Sequence, residues 1–116
     1  MAVITITSDS FDSVTSLPGI VLLDWWASWC PPCRQFGPIF EKAADAHPDI
    51  VFGSVDTEKQ SALAGRFSIS AIPTIMAYRD GILVYSQPGA LGGPEFERLI
   101  TMVQGLDMDK VRAEAS

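Results

Sequence analysis

The chain is poor in the residues that cross-link small domains or hold metal ions. Its 116 residues include two cysteines and one histidine. These counts exclude a disulfide-rich secreted scaffold, which needs several bridges, and a self-contained zinc site with four Cys and His ligands. The two cysteines are separated by only two residues, and that spacing is the feature to explain.

Basic residues and long apolar runs are also scarce. Eight Lys and Arg stand against 14 Asp and Glu, a net charge of −6, whereas binding to nucleic acid or an anionic membrane needs clustered Lys and Arg. The most apolar run, residues 17–29, is interrupted by Asp24 and is too short to span a bilayer. The first residues also lack the basic start of a secretory signal. We therefore expect a soluble, cytoplasmic, monomeric protein that binds neither nucleic acid nor membranes.

Hydrophobic residues make up 47% of the chain, enough to fill one core. The length fits a single domain. We place this domain at residues 1–105 and expect residues 106–116 to form a C-terminal tail that is helical or frayed.

The hydrophobic pattern predicts alternating strands and helices. Strands are expected at residues 3–7, 20–26, 50–55, 72–78 and 82–86, and helices at residues 10–16, 30–46, 58–65 and 94–104. The continuous apolar run at residues 20–26 favours a central strand covered on both faces. The Asp80-Gly81 pair predicts a hairpin. The order βαβαβαββα predicts an α/β fold with a central mixed sheet flanked by helices.

The cysteine pair stands in the segment Cys30-Pro31-Pro32-Cys33, between a predicted strand and a predicted helix. Half of a zinc site would need ligands from a partner chain, because His47 alone cannot complete the set. A structural disulfide across so small a loop would constrain the unfolded chain little. A redox-active dithiol fits the strand-to-helix position best, and we expect no metal.

The position also suggests how such a dithiol works. Cys30 falls at the helix N-cap, where free backbone N–H groups and the helix dipole favour a thiolate, the nucleophile of disulfide exchange. Cys33, one turn along the helix and expected to be more buried, would resolve the mixed disulfide.

Several motifs together resemble the thioredoxin family. Residues 24–33 read Asp-Trp-Trp-Ala-Ser-Trp-Cys-Pro-Pro-Cys, Pro38 follows in the helix, and residues 71–74 read Ala-Ile-Pro-Thr. The similarity covers about residues 2–105. It implies a thioredoxin fold and a thiol-disulfide oxidoreductase that reduces protein disulfides.

The resemblance also implies roles for single residues. Cys30 matches the attacking cysteine and Cys33 the resolving one. Asp24 matches a buried carboxylate beneath the pair, although a strand-end residue bonded to backbone is an alternative. An Asp within an apolar run should have a raised pKa, which suits a proton acceptor for Cys33. Trp26 resembles a packing tryptophan near the site.

The same resemblance implies a docking surface for substrates. Pro73 matches a cis-proline that faces the cysteines, and the backbone at Ile72 would pair with the substrate chain as an added strand. The expected apolar docking surface consists of Trp29, Pro31, Ile72, Pro73, Gly89 and Ala90.

The implied partners are disulfide-containing protein substrates and thioredoxin reductase. Electrons would come from NADPH through that flavoprotein. The chain itself has no glycine-rich nucleotide motif, so we expect no bound cofactor beyond the redox-active disulfide Cys30–Cys33.

Two positions depart from the family pattern. The cysteines enclose Pro31-Pro32 instead of Gly-Pro, which removes one amide donor near the Cys30 sulfur and should change the redox potential. Ser54 stands where some members of the family have a lysine near the buried carboxylate, so Asp24 lacks one charge partner.

Two alternative functions remain open. One is a specialised thioredoxin-like reductase or oxidase for a restricted partner. The other is a non-catalytic interaction module with the same fold, against which the presence of both cysteines and Asp24 argues.

Overall fold

The computed structural model describes residues 2–115 and contains five strands and five helices within that range. The strands are β1 (Val3–Thr5), β2 (Ile20–Trp26), β3 (Val51–Asp56), β4 (Thr74–Arg79) and β5 (Ile82–Pro88). The helices are α1 (Phe11–Thr15), α2 (Pro31–Ala46), α3 (Ser61–Arg66), α4 (Gly93–Gln104) and α5 (Met108–Ala115).

The strands form one mixed sheet in the order β1-β3-β2-β4-β5. β3 pairs in parallel with β1 and β2, whereas β4 pairs antiparallel with both β2 and β5. The predicted α/β fold and element order are confirmed, with α5 as an additional element within the tail.

The central strand β2 sends alternate side chains into two separate cores. Leu22 belongs to a cluster with side chains of α2 and α4, whereas Leu23 belongs to a cluster with side chains of α1 and α3. Helices therefore cover both faces of the sheet, as the apolar run predicted. Asp24 lies two residues after Leu22, so it shares the face that α2 covers.

Four predicted boundaries are wrong by two residues or more. β1 ends at Thr5 instead of residue 7, and β5 ends at Pro88 instead of residue 86. The starts of β4 and α3 are also wrong, each for a local reason. β4 begins at Thr74 instead of residue 72, because Pro73 has no N–H to give to a strand ladder. α3 begins at Ser61 instead of residue 58, because the Asp56 carboxylate accepts the N–H of Glu58 at 2.9 Å and shapes a turn there.

The end of the sheet at which β2 begins is covered by the β4–β5 hairpin and the C-terminal elements. Asp80 and Gly81 both have positive φ, at 52° and 82°, as the predicted tight hairpin requires. The Arg79 guanidinium donates to the carbonyls of Val103 and Leu106, at 2.7 and 3.2 Å, and so ties β4 to the end of α4.

Candidate active site

Cys30 is the N-cap residue of α2 and lies just beyond the C-terminal end of β2. Its sulfur accepts the N–H of Cys33 at a distance of 3.4 Å. Pro31 and Pro32 occupy the first helical turn, where a missing N–H costs least. Because neither proline has an amide hydrogen, the Cys33 N–H is the first helix amide that can reach the Cys30 sulfur.

Both cysteines are free thiols and both are buried. Cys30 is 3% exposed and Cys33 is 4% exposed, so the expectation that Cys33 is the more buried of the two is wrong. Both side chains pack with Ala27 in a small apolar cluster against Trp26 and Ile72, which accounts for the burial of both residues. Burial raises the pKa of the Cys33 thiol, and its hydrogen bond with Cys30 raises it further.

Asp24 is the buried acid of the site, with an exposure of 4%. Burial raises the pKa of its carboxyl from 3.8 to about 7, which confirms the predicted direction. Its Oδ1 atom is buried without a hydrogen-bond partner among the described residues. The strand-end alternative, in which Asp24 bonds to backbone, therefore has no support at this atom.

A pocket of about 260 Å³ lies beside Asp24 and is also lined by Cys33. The acid and the second cysteine thus share one opening between α2 and the sheet. Ser54 lines the same pocket and is the register partner of Asp24 across β2 and β3. Its hydroxyl accepts the indole N–H of Trp26 at 2.9 Å. The position predicted to face the acid is therefore occupied by a neutral side chain that orients Trp26.

A second loop brings residues 72–73 to the first cysteine. The Ile72–Pro73 peptide bond is cis, and the Cys30 thiol lies 3.6 Å from the Ile72 carbonyl oxygen. Gly89 donates its N–H to the Pro73 carbonyl at 2.7 Å and has a φ of +107°. Pro73 is itself buried, whereas Gly89 and the following Ala90 are exposed. Ile72 thus contacts Cys30 directly, and Gly89 is bonded to the next residue of the same loop.

Trp29 is 63% exposed and directly precedes Cys30. Its indole N–H donates to Glu58 Oε2 at 3.0 Å. The sequence interpretation missed Glu58 because it placed this residue inside a helix. Asp56 two residues earlier was the available signal, since Asp side chains often bond the backbone two residues on and form a turn.

Residues 2–115 contain neither a candidate metal site nor a candidate membrane-spanning helix. No group of three or more His, Cys, Asp and Glu side chains there could hold a metal ion. His47 bonds Glu97 at 2.8 Å, at the end of α2. No helix in the described range has the length and apolar character needed to cross a membrane.

Comparison with known proteins identifies the family. The model of the thioredoxin family matches residues 2–104. A putative thioredoxin 2 from Streptomyces coelicolor is 50% identical over 109 residues, which cover 94% of this chain and 81% of that protein. Thioredoxin from Bacillus subtilis is 33% identical over 90 residues, covering 77% and 86% of the two chains.

Solved structures agree with the sequence relatives. The thioredoxin of Malassezia sympodialis superposes with a TM-score of 0.77 at 35% identity, over 86% of this chain and 89% of that one. A mutant thioredoxin from Halobacterium salinarum gives a TM-score of 0.81 at 28% identity, over 90% and 92%. With its cysteine pair at the start of α2, the chain belongs to the thioredoxin family of thiol-disulfide oxidoreductases.

Proposed function

We propose that Cys30 and Cys33 reduce protein disulfides by two successive exchange steps. In the first, the Cys30 thiolate attacks one sulfur of the substrate, the substrate S–S bond breaks, and a substrate thiolate leaves. In the second, Cys33 as thiolate attacks the Cys30 sulfur, and the other substrate thiolate is released. The substrate gains two electrons, and the protein is left with a Cys30–Cys33 disulfide.

The observation that carries this proposal is the N-cap position of Cys30. Its sulfur accepts the Cys33 N–H at the positive end of α2, and this sulfur must carry negative charge when it attacks the substrate disulfide. Cys33 is already in contact with that sulfur, so the second step needs no large rearrangement.

Asp24 serves as the proton acceptor for Cys33 in this proposal. A thiol whose pKa is raised by burial needs a base before it can attack. Asp24 faces the same pocket, and with a pKa of about 7 it exists in both protonation states at neutral pH. Either state is therefore accessible during turnover.

Substrate docking is assigned to the surface around Cys30. Trp29 and Pro31 adjoin the cysteine along the chain and are exposed, and the Ile72 carbonyl contacts its sulfur. Gly89 and Ala90 are joined to the loop of Ile72 and Pro73 through the bond from Gly89 to Pro73. A substrate segment laid across this surface would bring its disulfide to the Cys30 sulfur.

The resulting disulfide must be reduced again for turnover. We assign this step to NADPH-dependent thioredoxin reductase, with no cofactor bound by this chain. The remaining expectations, a cytoplasmic monomer with its domain at residues 1–105, belong to the same proposal.

Reduction of insulin, a protein with accessible disulfides, tests the function. With NADPH and a thioredoxin reductase, we expect turnover that Cys30→Ser abolishes. In Cys33→Ser, a mixed disulfide with the substrate should accumulate. Asp24→Asn should slow the resolving step at pH 7 while leaving the first attack less affected.

The alternatives give different results in the same assay. Turnover with dithiothreitol alone would favour a specialised enzyme with its own reductant, and no turnover with either would favour an interaction module. An oxidising equilibrium potential against glutathione would reverse the proposed direction of electron flow.

A further inference from the structure

The indole of Trp29 is an exposed aromatic group next to the attacking sulfur. With 63% of its surface accessible, it has little packing to fix its orientation. Within the described part of the chain, its ring nitrogen makes one hydrogen bond, to the Glu58 carboxylate at 3.0 Å. Glu58 is itself exposed and lies 29 residues further along the chain, in the turn that follows β3.

Hydrogen bonds within the turn and to the end of β2 fix its position. The Asp56 carboxylate accepts the N–H groups of Glu58 and Lys59, at 2.9 and 3.3 Å. Both the N–H and the hydroxyl of Thr57 donate to the Trp26 carbonyl, at 2.9 and 3.0 Å. The turn is thereby bonded to the end of β2, from which the cysteine loop departs. The backbone of Glu58 therefore has a fixed position relative to Trp29.

We infer that Glu58 is a positioning residue for substrate docking, which acts by holding the Trp29 indole in one orientation beside Cys30. Without this bond the ring would sample several rotamers, and each binding event would have to order it. Immobilising one such side chain corresponds to a loss of about 3-fold to 10-fold in affinity. Glu58 does not touch the reacting sulfurs, so the exchange chemistry should be unaffected.

This inference rests on the proposed function, and three variants separate its components. Glu58→Ala removes both the acceptor and the charge. Glu58→Gln keeps an acceptor oxygen at the same position and removes the charge. Lys59→Ala is the matched control, because Lys59 is an exposed neighbour in the same turn that contributes its backbone N–H to the bonds described above.

The experiment measures insulin reduction together with reduction of bis(2-hydroxyethyl) disulfide, which is too small to cover Trp29. For Glu58→Ala we expect a rise of about 3-fold to 10-fold in KM for insulin, an unchanged kcat, and an unchanged rate with the small disulfide. Glu58→Gln and Lys59→Ala should stay within about 2-fold of the parent protein, since a retained acceptor preserves the bond.

The indole N–H resonance of Trp29, assigned with Trp29→Phe, is the readout that does not depend on activity. It should move upfield and exchange faster with water in Glu58→Ala, and stay close to the parent position in Glu58→Gln. An unchanged indole resonance in Glu58→Ala would overturn the inference even if insulin were not a substrate. An unchanged KM, or equal losses on both disulfides, would overturn it if insulin is reduced. Absence of parent activity, by contrast, would contradict the proposed function alone.

Discussion

Asp24 is a carboxyl group buried in the same pocket as a thiol, and no ion pair links it to a cation within residues 2–115. Burial raises its pKa from 3.8 to about 7, so the folded chain holds this proton more tightly than the unfolded chain does. The cost of the buried charge is therefore absent below about pH 4, grows as the pH rises towards 7, and is complete above it. A pKa difference of this size corresponds to about 4 kcal/mol at the upper end of this window.

Replacing Asp24 by Asn should accordingly stabilise the fold at alkaline pH. We expect the free energy of unfolding at pH 8 to rise by about 2–4 kcal/mol, and the difference from the parent protein to shrink towards zero below about pH 4. Urea unfolding across this pH range measures it. A variant that is equally or less stable than the parent at pH 8 would contradict the burial argument.

Ser54 offers a second test at the same pocket. A lysine at this position would bring an ammonium group next to Asp24, because the two positions are register partners on one face of the sheet. We expect Ser54→Lys to lower the pKa of Asp24 by about one unit or more, as an opposite charge at close range does. NMR titration of the Asp24 carboxyl carbon measures it.

The matched control is Ser54→Met, which has a similar length and no charge. Both variants lose the hydrogen bond from Trp26. Equal titration of Asp24 in the two variants would show that charge at this position does not reach the acid.

At the scale of single elements, the β4–β5 hairpin depends on a backbone conformation that only some residues tolerate. Gly81 has a φ of +82°, whereas Gly65 lies in α3 with open space around a potential Cβ. We expect Gly81→Ala to lower the free energy of unfolding by about 1–2 kcal/mol. The same change at Gly65 should raise it by about 0.5–1 kcal/mol. Chemical denaturation of both variants measures the contrast, and changes of the same sign would contradict it.

At the scale of the whole molecule, α5 lies at the end of the sheet away from the cysteines. Met108 is buried, Leu106 packs against the cluster formed by α2 and α4, and Arg112 approaches Asp80 to 4.0 Å. A chain ending at residue 105 loses these contacts. We expect it to fold with about 2–4 kcal/mol less stability, since burial of each such side chain contributes about 1.5–3 kcal/mol.

Insulin reduction by the shortened chain should be unchanged, because the removed segment and the cysteines lie at opposite ends of β2. Ile20 and Trp26, the two ends of this strand, are about 20 Å apart. Urea unfolding and the reductase assay test the two parts separately. A shortened chain that no longer folds would show that the domain extends beyond residue 105.

The sequence predicted best those features that depend on local pattern. The apolar run of β2, the Asp80-Gly81 turn and the N-cap position of Cys30 follow from residue type and spacing. What it could not predict depends on side chains that are distant in sequence. The bond from Trp29 to Glu58 and the equal burial of the two cysteines arise only when the turn after β3 and the loop of Ile72 pack against the start of α2.

The central position of β2 has a consequence for how the molecule fluctuates. Every residue from 21 to 25 has a strand partner on both sides, in β3 and in β4. Amide hydrogens in such a segment exchange with solvent mainly when the whole domain opens, whereas a terminal helix opens on its own. We expect hydrogen exchange to be slowest along β2 and much faster in α5. The loop that carries Cys30 therefore begins at the segment that opens last. We expect the position of the thiol to be maintained while α5 unfolds and refolds locally.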